Sequence, residues 1–301
     1  MTSIKYYIQA ARLRTLPLSV SGIIVAAGIA ASEQAFNLVI FVLALLATIG
    51  FQVVSNFAND YGDGVKGTDS NRNGEQRMIA SGLISPQQMK LAILCTIIIT
   101  MLIVIALIYL AFGKDNFINS LVFFGLGISS IIAAIKYTVG KSAYGYSGFG
   151  DVFVFVFFGL LSVIGGYYLF SQQITSYSIV LPASAIGLLS TAVLNLNNMR
   201  DQIQDKTANK NTLVVKLGPN ASKVYHCVLI LIALVLLITY RVMTNSISLN
   251  YWWFLLAFIP LILNVITVFK TSEFADLDAE LKKVALSTFF CAILFCIPLF
   301  Y

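Results

Sequence analysis

The sequence predicts an all-α polytopic membrane protein, a helical bundle with nine transmembrane helices. Of its 301 residues, 58% are hydrophobic and 11% are charged, whereas a soluble globular protein has about 25% charged residues. The mean hydropathy is +0.87, and apolar runs recur along the whole chain. A soluble enzyme with one anchor, a disordered chain and a disulfide scaffold are therefore excluded, the last because only four cysteines are present.

Nine of these runs approach the roughly 20 residues that a helix needs to cross about 30 Å of hydrocarbon. Helices are expected because hydrocarbon offers the backbone no water to bond. In chain order, the predicted spans are Leu16–Ser32, Leu38–Phe57, Met89–Phe112, Phe117–Thr138, Val152–Phe170, Tyr177–Leu196, Ser222–Met243, Tyr251–Phe269 and Val284–Phe300.

The basic residues orient these spans and support their number. Seventeen of the nineteen lysines and arginines lie in the N-terminal segment and in the connections after the even-numbered helices. Only Lys114 and Arg241 lie on the other side. By the positive-inside rule, the N-terminus and the even connections are cytoplasmic. The net charge of +6 is then a signal of topology, and no nucleic-acid partner is expected.

Acidic residues collect in two clusters that directly follow the second and sixth helices. They are NFANDYGDGVKGTD at 56–69 and NLNNMRDQIQD at 195–205. If each helix continues into its cluster, Asn56, Asp60 and Asp63 share one face, and so do Asn197, Asp201 and Asp205. The equivalent asparagines are separated by four helices, which predicts two repeated four-helix units.

Carboxylates that converge in this way repel one another unless cations neutralise them. Hard oxygen ligands suit Mg²⁺, which is typically bound by one or two carboxylates together with substrate phosphates. The alternative is that these residues only cap helix ends, but the repetition on one side of the membrane favours a diphosphate site. Candidate cationic contacts for that diphosphate are Lys66, Arg72, Arg77, Lys141, Arg200 and Lys210.

At these residues the sequence resembles the UbiA-type intramembrane aromatic prenyltransferases. Asn59, Asp60 and Asp63 match the family's N-D-x-x-D motif, whose further aspartate has Gly67 at its position here, with Asp69 two residues on. Asp201 and Asp205 match the second motif, D-x-x-x-D. The segments RMIASGLI at 77–84 and KNTLVVKLG at 210–218 also resemble family segments. The resemblance covers essentially the whole chain, read as a single integral-membrane prenyltransferase domain at 1–301.

The resemblance implies transfer of a polyprenyl group from its diphosphate to an aromatic acid. It implies Mg²⁺ as the cofactor, held by Asp60, Asp63, Asp201 and Asp205, with Arg77 and Lys210 also in catalytic roles. Arg14 is either an acceptor contact or a topology charge, and Asp151 is either a helix cap or an acceptor-side acid. Further candidate substrate-binding residues are Asn56, Asn59, Asn197, Asn198, Tyr137, Lys141, Tyr144 and Arg200.

The segments NDYGDGVKGTD and YGYSGFGDVFVFVFFG resemble the subgroup that prenylates 1,4-dihydroxy-2-naphthoate in menaquinone synthesis, with loss of CO₂. That subgroup implies a bacterial inner membrane, a lipid environment and no obligate protein partner. An enzyme for 4-hydroxybenzoate or homogentisate, an ion-coupled transporter and a phosphatidyl-type transferase are the alternatives. The phenylalanines between 149 and 158 are expected mainly to pack, because residues two apart cannot share one α-helical face.

Overall fold

The computed structural model describes residues 3–68, 76–140 and 143–300. Within these ranges, nine helices are long and apolar enough to cross a membrane, and the predicted spans are confirmed. We number them α1 (Ile4–Ser32), α2 (Leu38–Lys66), α3 (Pro86–Phe112), α4 (Phe117–Lys136), α5 (Gly150–Ser171), α6 (Tyr177–Arg200), α7 (Pro219–Met243), α8 (Leu249–Lys270) and α9 (Phe274–Leu299). Shorter helices lie in the connections at Tyr144–Tyr146, Gln202–Thr207 and Leu213–Leu217.

Local sequence accounts for where α2 and α3 begin and where α2 ends. The side chain of Asn37 accepts hydrogen bonds from the first backbone N–H groups of α2. Ser85 and Gln88 form a capping box at the start of α3. Helix α2 ends at Gly67, whose φ of +75° is a left-handed conformation that glycine adopts without steric cost. The predicted continuation of α2 through its acidic cluster is therefore confirmed.

Helix α6 lies at the centre of the bundle, where its side chains are packed from several directions. Leu189, Ala192 and Leu196 are fully buried, and α6 packs against α5, α7 and α9. Helix α5 approaches closely because Gly159 faces Gly187, so that a Cβ on either glycine would meet the other helix's backbone within 3 Å. Small residues permit such close packing of membrane helices.

The outer surface of the bundle is apolar. Along α3, for example, Leu91, Ile98, Leu102 and Ile105 are all exposed. A row of exposed aliphatic side chains on a helix of this length is suited to lipid and not to water. The protein is thus a multi-pass membrane protein.

Extensive helix packing occurs between α2 and α3, between α5 and α6, and between α6 and α7. The α2–α3 and α6–α7 pairs are four helices apart along the chain, as the interpretation of two repeated units requires. The repeat itself stays a prediction, since similar packing of two pairs does not establish duplication.

Part of helix α5 is not α-helical, whereas the prediction about its phenylalanines assumed α-helical spacing. Between Phe155 and Gly165 it is π-helical, with wider turns than an α-helix. Phe153, Phe157 and Phe158 line a cavity inside the bundle. The expectation that these aromatic residues mainly pack is therefore wrong for three of them.

The acidic cluster after α6 is not one continuous helix, which corrects the prediction. Helix α6 ends at Arg200, Asp201 forms a turn with φ −94° and ψ 6°, and a new short helix begins at Gln202. The N–H groups of Asp201 and Asp205 still donate to the carbonyls four residues before them. The turn lets the side chain of Asp201 pair with the arginine that precedes it.

Candidate active site

A cavity of about 380 Å³ lies inside the bundle and changes character along its length. One end is polar and is lined by residues from the ends of several helices. The rest is apolar and is lined by aliphatic and aromatic side chains from α1 to α6. Its polar lining includes Arg12, Arg14, Thr15, Gln52, Ser55, Asn56, Asn59, Asp63, Arg77, Asn197, Lys210 and Lys282.

Helix α2 shows how far the cavity extends across the membrane. The lining residues of this helix run from Ala44 through Phe51 to Asp63. At 1.5 Å per residue, nineteen residues of helix span about 28 Å, close to the thickness of the hydrocarbon core. The cavity can therefore accommodate a molecule with a charged head and a long apolar tail.

The carboxylate of Asp60 holds the segment that carries Arg77. Its two oxygens accept hydrogen bonds from the backbone N–H groups of Met78 and Ile79, each at 3.0 Å. Gly64, one turn later on α2, leaves room for the side chain of Ile79. An ionised carboxylate has about four lone-pair sites, so Asp60 can hold this segment and still bind a cation. Arg77, placed in this way, is buried and lines the cavity.

Asp63 lines the cavity, and a tyrosine from the connection between α4 and α5 holds it. The hydroxyl of Tyr146 donates to Asp63 Oδ1 at 2.8 Å and lies 2.8 Å from the hydroxyl of Thr68. The Nζ atoms of Lys66 and Lys210 lie 4.0 and 5.5 Å from the centroid of the Tyr146 ring. Tyr146 thus joins the first motif to the segment after the second one.

Burial and the neighbouring carboxylate of Asp63 both raise the pKa of the Tyr146 hydroxyl. Burial is the larger cause, since it disfavours the charged phenolate. The hydroxyl therefore remains a proton donor to Asp63 throughout the neutral range.

Arg200 holds Asp201 in the second motif. Its Nε and Nη2 atoms donate to the two carboxylate oxygens at 2.8 and 2.9 Å, which is a bidentate ion pair. Its Nη1 atom donates to Asp278 Oδ1 at 2.5 Å, and Nη2 also reaches Asn197 Oδ1 at 2.9 Å. Arg14 reaches the other oxygen of Asp278 at 3.4 Å. The predicted substrate contact Arg200 is thus engaged with acidic groups of the protein and is absent from the cavity lining.

Asp205, the other acid of the second motif, is paired with a lysine from the loop after its short helix. Lys210 Nζ lies 3.4 Å from Asp205 Oδ1, and the backbone N–H of Lys210 donates to the carbonyl of Asp205. Because Lys210 also lines the cavity, it connects Asp205 to the space in which a substrate would lie.

Three predicted asparagines line the polar end of the cavity. Asn56 donates to the carbonyl of Ala11 at 2.8 Å, which ties α2 to the start of α1. Asn59 Oδ1 accepts from the hydroxyl of Thr138 at 3.2 Å. Asn197 reaches the cavity beside Arg200. Their amide groups can orient neighbouring ligands as well as bind directly.

Aromatic rings form one wall between the polar and apolar parts of the lining. Tyr144 stacks on Phe153 with ring centroids 3.8 Å apart, and Phe157 continues the row 6.1 Å further on. Tyr137 meets Tyr144 edge to face at 5.3 Å. Burial, and secondarily Tyr137, raises the pKa of the Tyr144 hydroxyl, which donates to the carbonyl of Ala133. Both predicted tyrosines line the cavity, and Tyr144 does so as a neutral aromatic ring.

Asp60, Asp201, Asp205 and Arg200 are absent from the cavity lining, and so are two further predicted residues. Asp151 is buried in α5, where it accepts a hydrogen bond from the hydroxyl of Tyr225 at 3.3 Å. Asn198 is buried on α6. Neither contributes to the lining. Lys141 and Asp69 lie outside the described residues, so their predicted roles stay predictions.

Sequence reasoning missed Asp278 and Arg12 as site residues, and it missed the contact that Tyr146 makes with Asp63. Asp278 lies in the first turns of α9 and pairs with two arginines. Arg12 was counted only as a topology charge, yet it lines the cavity. No motif signals any of the three, because each acts through partners that are distant along the chain.

The donor chemistry of the polar end fits a magnesium ion. Asp60, Asp63, Asp201 and Asp205 are between 1% and 4% exposed, and carboxylate and amide oxygens are ligands that Mg²⁺ prefers. Among residues 3–68, 76–140 and 143–300, however, no three Asp, Glu, His or Cys side chains are grouped closely enough to hold a metal. The four-carboxylate site therefore stays a prediction.

Solved structures of similar fold come from archaea. The chain superposes on a UbiA homologue from Aeropyrum pernix with a TM-score of 0.67, at 16% identity and covering 96% of this chain and 98% of that one. A UbiA homologue from Archaeoglobus fulgidus, solved with GPP and Mg²⁺ bound, gives a TM-score of 0.62 at 15% identity, covering 96% and 99%. At these identities the likeness shows the fold.

Sequence comparison extends the likeness to enzymes. The chain is 42% identical to a 1,4-dihydroxy-2-naphthoate octaprenyltransferase from Haemophilus influenzae over 98% of its own length and 96% of that protein's. It is 43% identical to the enzyme of the same description from Escherichia coli, over 83% and 80%. Residues 20–294 match the UbiA prenyltransferase family. This match, which covers most of the chain, shows that the chain belongs to the UbiA prenyltransferase family.

Proposed function

We propose that the protein transfers a polyprenyl group from polyprenyl diphosphate to 1,4-dihydroxy-2-naphthoate, releasing diphosphate and CO₂ and giving demethylmenaquinol. The observation that carries this proposal is the cavity, which extends about 28 Å along α2 and joins an apolar interior to a polar end lined by Asp63 of the first motif and by Asn197 and Lys210 next to the second. The acceptor is proposed from the relatives, which are described as 1,4-dihydroxy-2-naphthoate octaprenyltransferases.

The polar end binds the diphosphate in this proposal. Mg²⁺ held by Asp60, Asp63, Asp201 and Asp205 would neutralise the diphosphate and stabilise it as a leaving group. Arg77 and Lys210 line the same end and supply direct cationic contacts to the phosphate oxygens. Asp60 contributes to both functions, because it also fixes the backbone that carries Arg77.

The aromatic wall acts at the reacting carbon. As the bond to diphosphate breaks, positive charge develops on the allylic carbon, and ring faces stabilise a cation within about 6 Å. Tyr144, Phe153 and Phe157 present such faces beside the polar end. They also exclude water, which would otherwise capture the cation before the electron-rich acceptor ring does.

The polar end of the cavity faces the cytoplasm of a bacterial inner membrane in this proposal. The support is the distribution of charge, since seventeen of nineteen basic residues lie on the side where both motifs lie. Soluble polar substrates then enter from the cytoplasm, and the prenyl chain enters from the lipid.

Purified protein in lipid nanodiscs tests the proposal. With Mg²⁺ and a polyprenyl diphosphate, 1,4-dihydroxy-2-naphthoate labelled at its carboxyl carbon should yield a prenylated product, diphosphate and labelled CO₂. Parallel reactions contain 4-hydroxybenzoate or homogentisate. Prenylation of one of these, with none of the naphthoate, would overturn the acceptor assignment while preserving the reaction class. Absence of product from all three would overturn the proposed function.

A further inference from the structure

Arg12 occupies an interruption in α1 at the polar end of the cavity. Its backbone has φ +51° and ψ 65°, a left-handed conformation that is unfavourable for a residue other than glycine. The interruption is stabilised on both sides, because Thr15 donates to the carbonyl of Arg12 and Asn56 donates to that of Ala11. The side chain of Arg12 lines the cavity together with Thr15, Gln52 and Asn56.

The guanidinium of Arg12 has no ion pair or hydrogen bond with the residues that the structure describes, and its Nη2 atom is buried without an acceptor. Three other cations in the lining differ, because Arg14 pairs with Asp278, Lys210 pairs with Asp205, and Lys282 is exposed. Arg77 also has buried guanidinium atoms, and the proposed function assigns it to the diphosphate. A buried charged donor without an acceptor is costly, and a bound anion would remove that cost.

The proposed reaction requires two anionic groups to bind in one cavity, a diphosphate and the carboxylate of the acceptor. Asp63 and Lys210, which both lie beside Tyr146, line one part of the polar end. Asn56, beside Arg12, precedes Asp63 by seven residues on the same helix, which corresponds to about 10 Å along its axis. The two regions are far enough apart to receive one anion each.

We propose that Arg12 binds the carboxylate of the aromatic acceptor, at the Asn56 end of the polar cavity and apart from the diphosphate region around Asp63. This inference rests on the proposed function and goes beyond it by assigning the acceptor's subsite. The planar guanidinium matches a carboxylate with two parallel hydrogen bonds. Gln52 and Thr15 are polar neighbours that can bind a ring hydroxyl of the same ligand.

Equilibrium binding with two probes tests the assignment without turnover. The probes are 1-hydroxy-2-naphthoate, which keeps the carboxylate, and 1-naphthol, which lacks it; empty nanodiscs correct for partition into lipid. Arg12→Asn removes the guanidinium and suits the left-handed backbone. We expect it to weaken 1-hydroxy-2-naphthoate binding by about 10- to 100-fold and to leave 1-naphthol binding unchanged. Lys5→Gln, which removes an exposed charge from the same helix, should change neither.

Folding and binding are separated by a further variant, Arg12→Gly. Glycine relieves the backbone strain, so this variant should unfold at the same temperature as the parent protein or higher, yet bind the carboxylate probe as weakly as Arg12→Asn. Equal loss of both probes, or no loss of either, would overturn the assignment.

Steady-state kinetics distinguish failure of this inference from failure of the proposed function. Arg12→Asn should raise the KM for 1,4-dihydroxy-2-naphthoate by a similar factor and leave the KM for polyprenyl diphosphate unchanged. An increase confined to the diphosphate substrate would overturn the inference and leave the proposed reaction intact. A parent protein that prenylates none of the aromatic acids would instead refute the proposed function.

Discussion

The two aspartate motifs are alike in sequence but are held by different kinds of donor. In the first motif, backbone N–H groups bind Asp60 and a tyrosine hydroxyl binds Asp63. In the second motif, the guanidinium of Arg200 binds Asp201 and the ammonium of Lys210 lies beside Asp205. Neutral donors orient the carboxylates of the first motif, where Lys66 is also an electrostatic neighbour of Asp63, whereas in the second motif cations lie within ion-pair distance of both carboxylates.

The two motifs look equivalent because their residues are similarly spaced, but this difference indicates that they have separate roles. The first motif lies on a continuous helix, and its Asp63 lines the cavity. The second lies across a helix break, and its acids are linked to cations that are themselves tied to other helices. We infer that the first motif provides a fixed position for a cation and that the second adjusts its own charge pairs when substrate binds.

The largest expected effect comes from removing the charge of Asp63. Asp63→Asn keeps an oxygen that can accept the hydrogen bond from Tyr146 but removes the negative charge in the cavity. We expect kcat to fall by about 10³-fold or more, since loss of one electrostatic contact in a catalytic centre typically costs 10² to 10³. The melting temperature should remain within about 2 °C of the parent, because the amide has nearly the same shape as the buried carboxylate and keeps the hydrogen bond from Tyr146.

Asp60 should respond in the opposite way in a folding assay. Asp60→Ala leaves the N–H groups of Met78 and Ile79 without their acceptor, and each unsatisfied buried group costs about 1–3 kcal/mol. Thermal unfolding followed by tryptophan fluorescence should therefore show a clear destabilisation that Asp63→Ala does not show. Equal destabilisation by the two alanine variants would contradict the separate roles of these neighbouring aspartates.

The parts of this site that could be predicted from the sequence are those that depend on patterns among neighbouring residues. Apolar runs predicted the nine spans, and helical spacing placed Asn56, Asp60 and Asp63 on one extended helix, as observed. Hydropathy and periodicity depend only on residues that are neighbours in sequence, so they can be evaluated without knowledge of the tertiary fold. The same periodicity failed after Arg200, where the backbone turns, and in α5, where the turns widen.

Contacts between distant segments could not be predicted from one sequence. Asp278 meets Arg14 across 264 positions of the chain, and Tyr146 meets Asp63 across 83. The left-handed backbone of Arg12 is likewise sustained by contacts with α2 and not by its own preference. Each of these residues looks ordinary in sequence because its role depends on where other helices pack.

A substitution at Asp278 should have a smaller effect, and one that is specific to the second motif. Asp278→Asn removes one of the two carboxylates that Arg200 binds, so the guanidinium should hold Asp201 more strongly and leave the site more positive. We expect the Mg²⁺ concentration for half-maximal activity to rise about three- to tenfold. The reason is that the cation loses its attraction to one negative charge, an interaction that solvent partly screens.

A matched control for Asp278 is available in the same turn of chain. Asp276→Asn removes an exposed carboxylate and should leave the magnesium requirement unchanged. A shift of equal size in both variants would show a general surface-charge effect and would remove the distinction between the motifs.

The smallest expected effect concerns Tyr146, which links the two motifs. Tyr146→Phe keeps the ring between Lys66 and Lys210 but removes the hydrogen bond to Asp63, and kcat should fall about five- to tenfold. Because burial and Asp63 raise the pKa of this hydroxyl above the ordinary value of about 10, its protonated, donating form persists until the pH exceeds that value. The ratio of parent to variant kcat should therefore stay constant from about pH 7 to about pH 10 and decline only above it.

Tyr177→Phe, at an exposed tyrosine, should leave kcat unchanged at every pH. A ratio that already declines between about pH 8 and about pH 9 would show that the hydroxyl ionises below its ordinary value and that Asp63 is not held by a neutral donor.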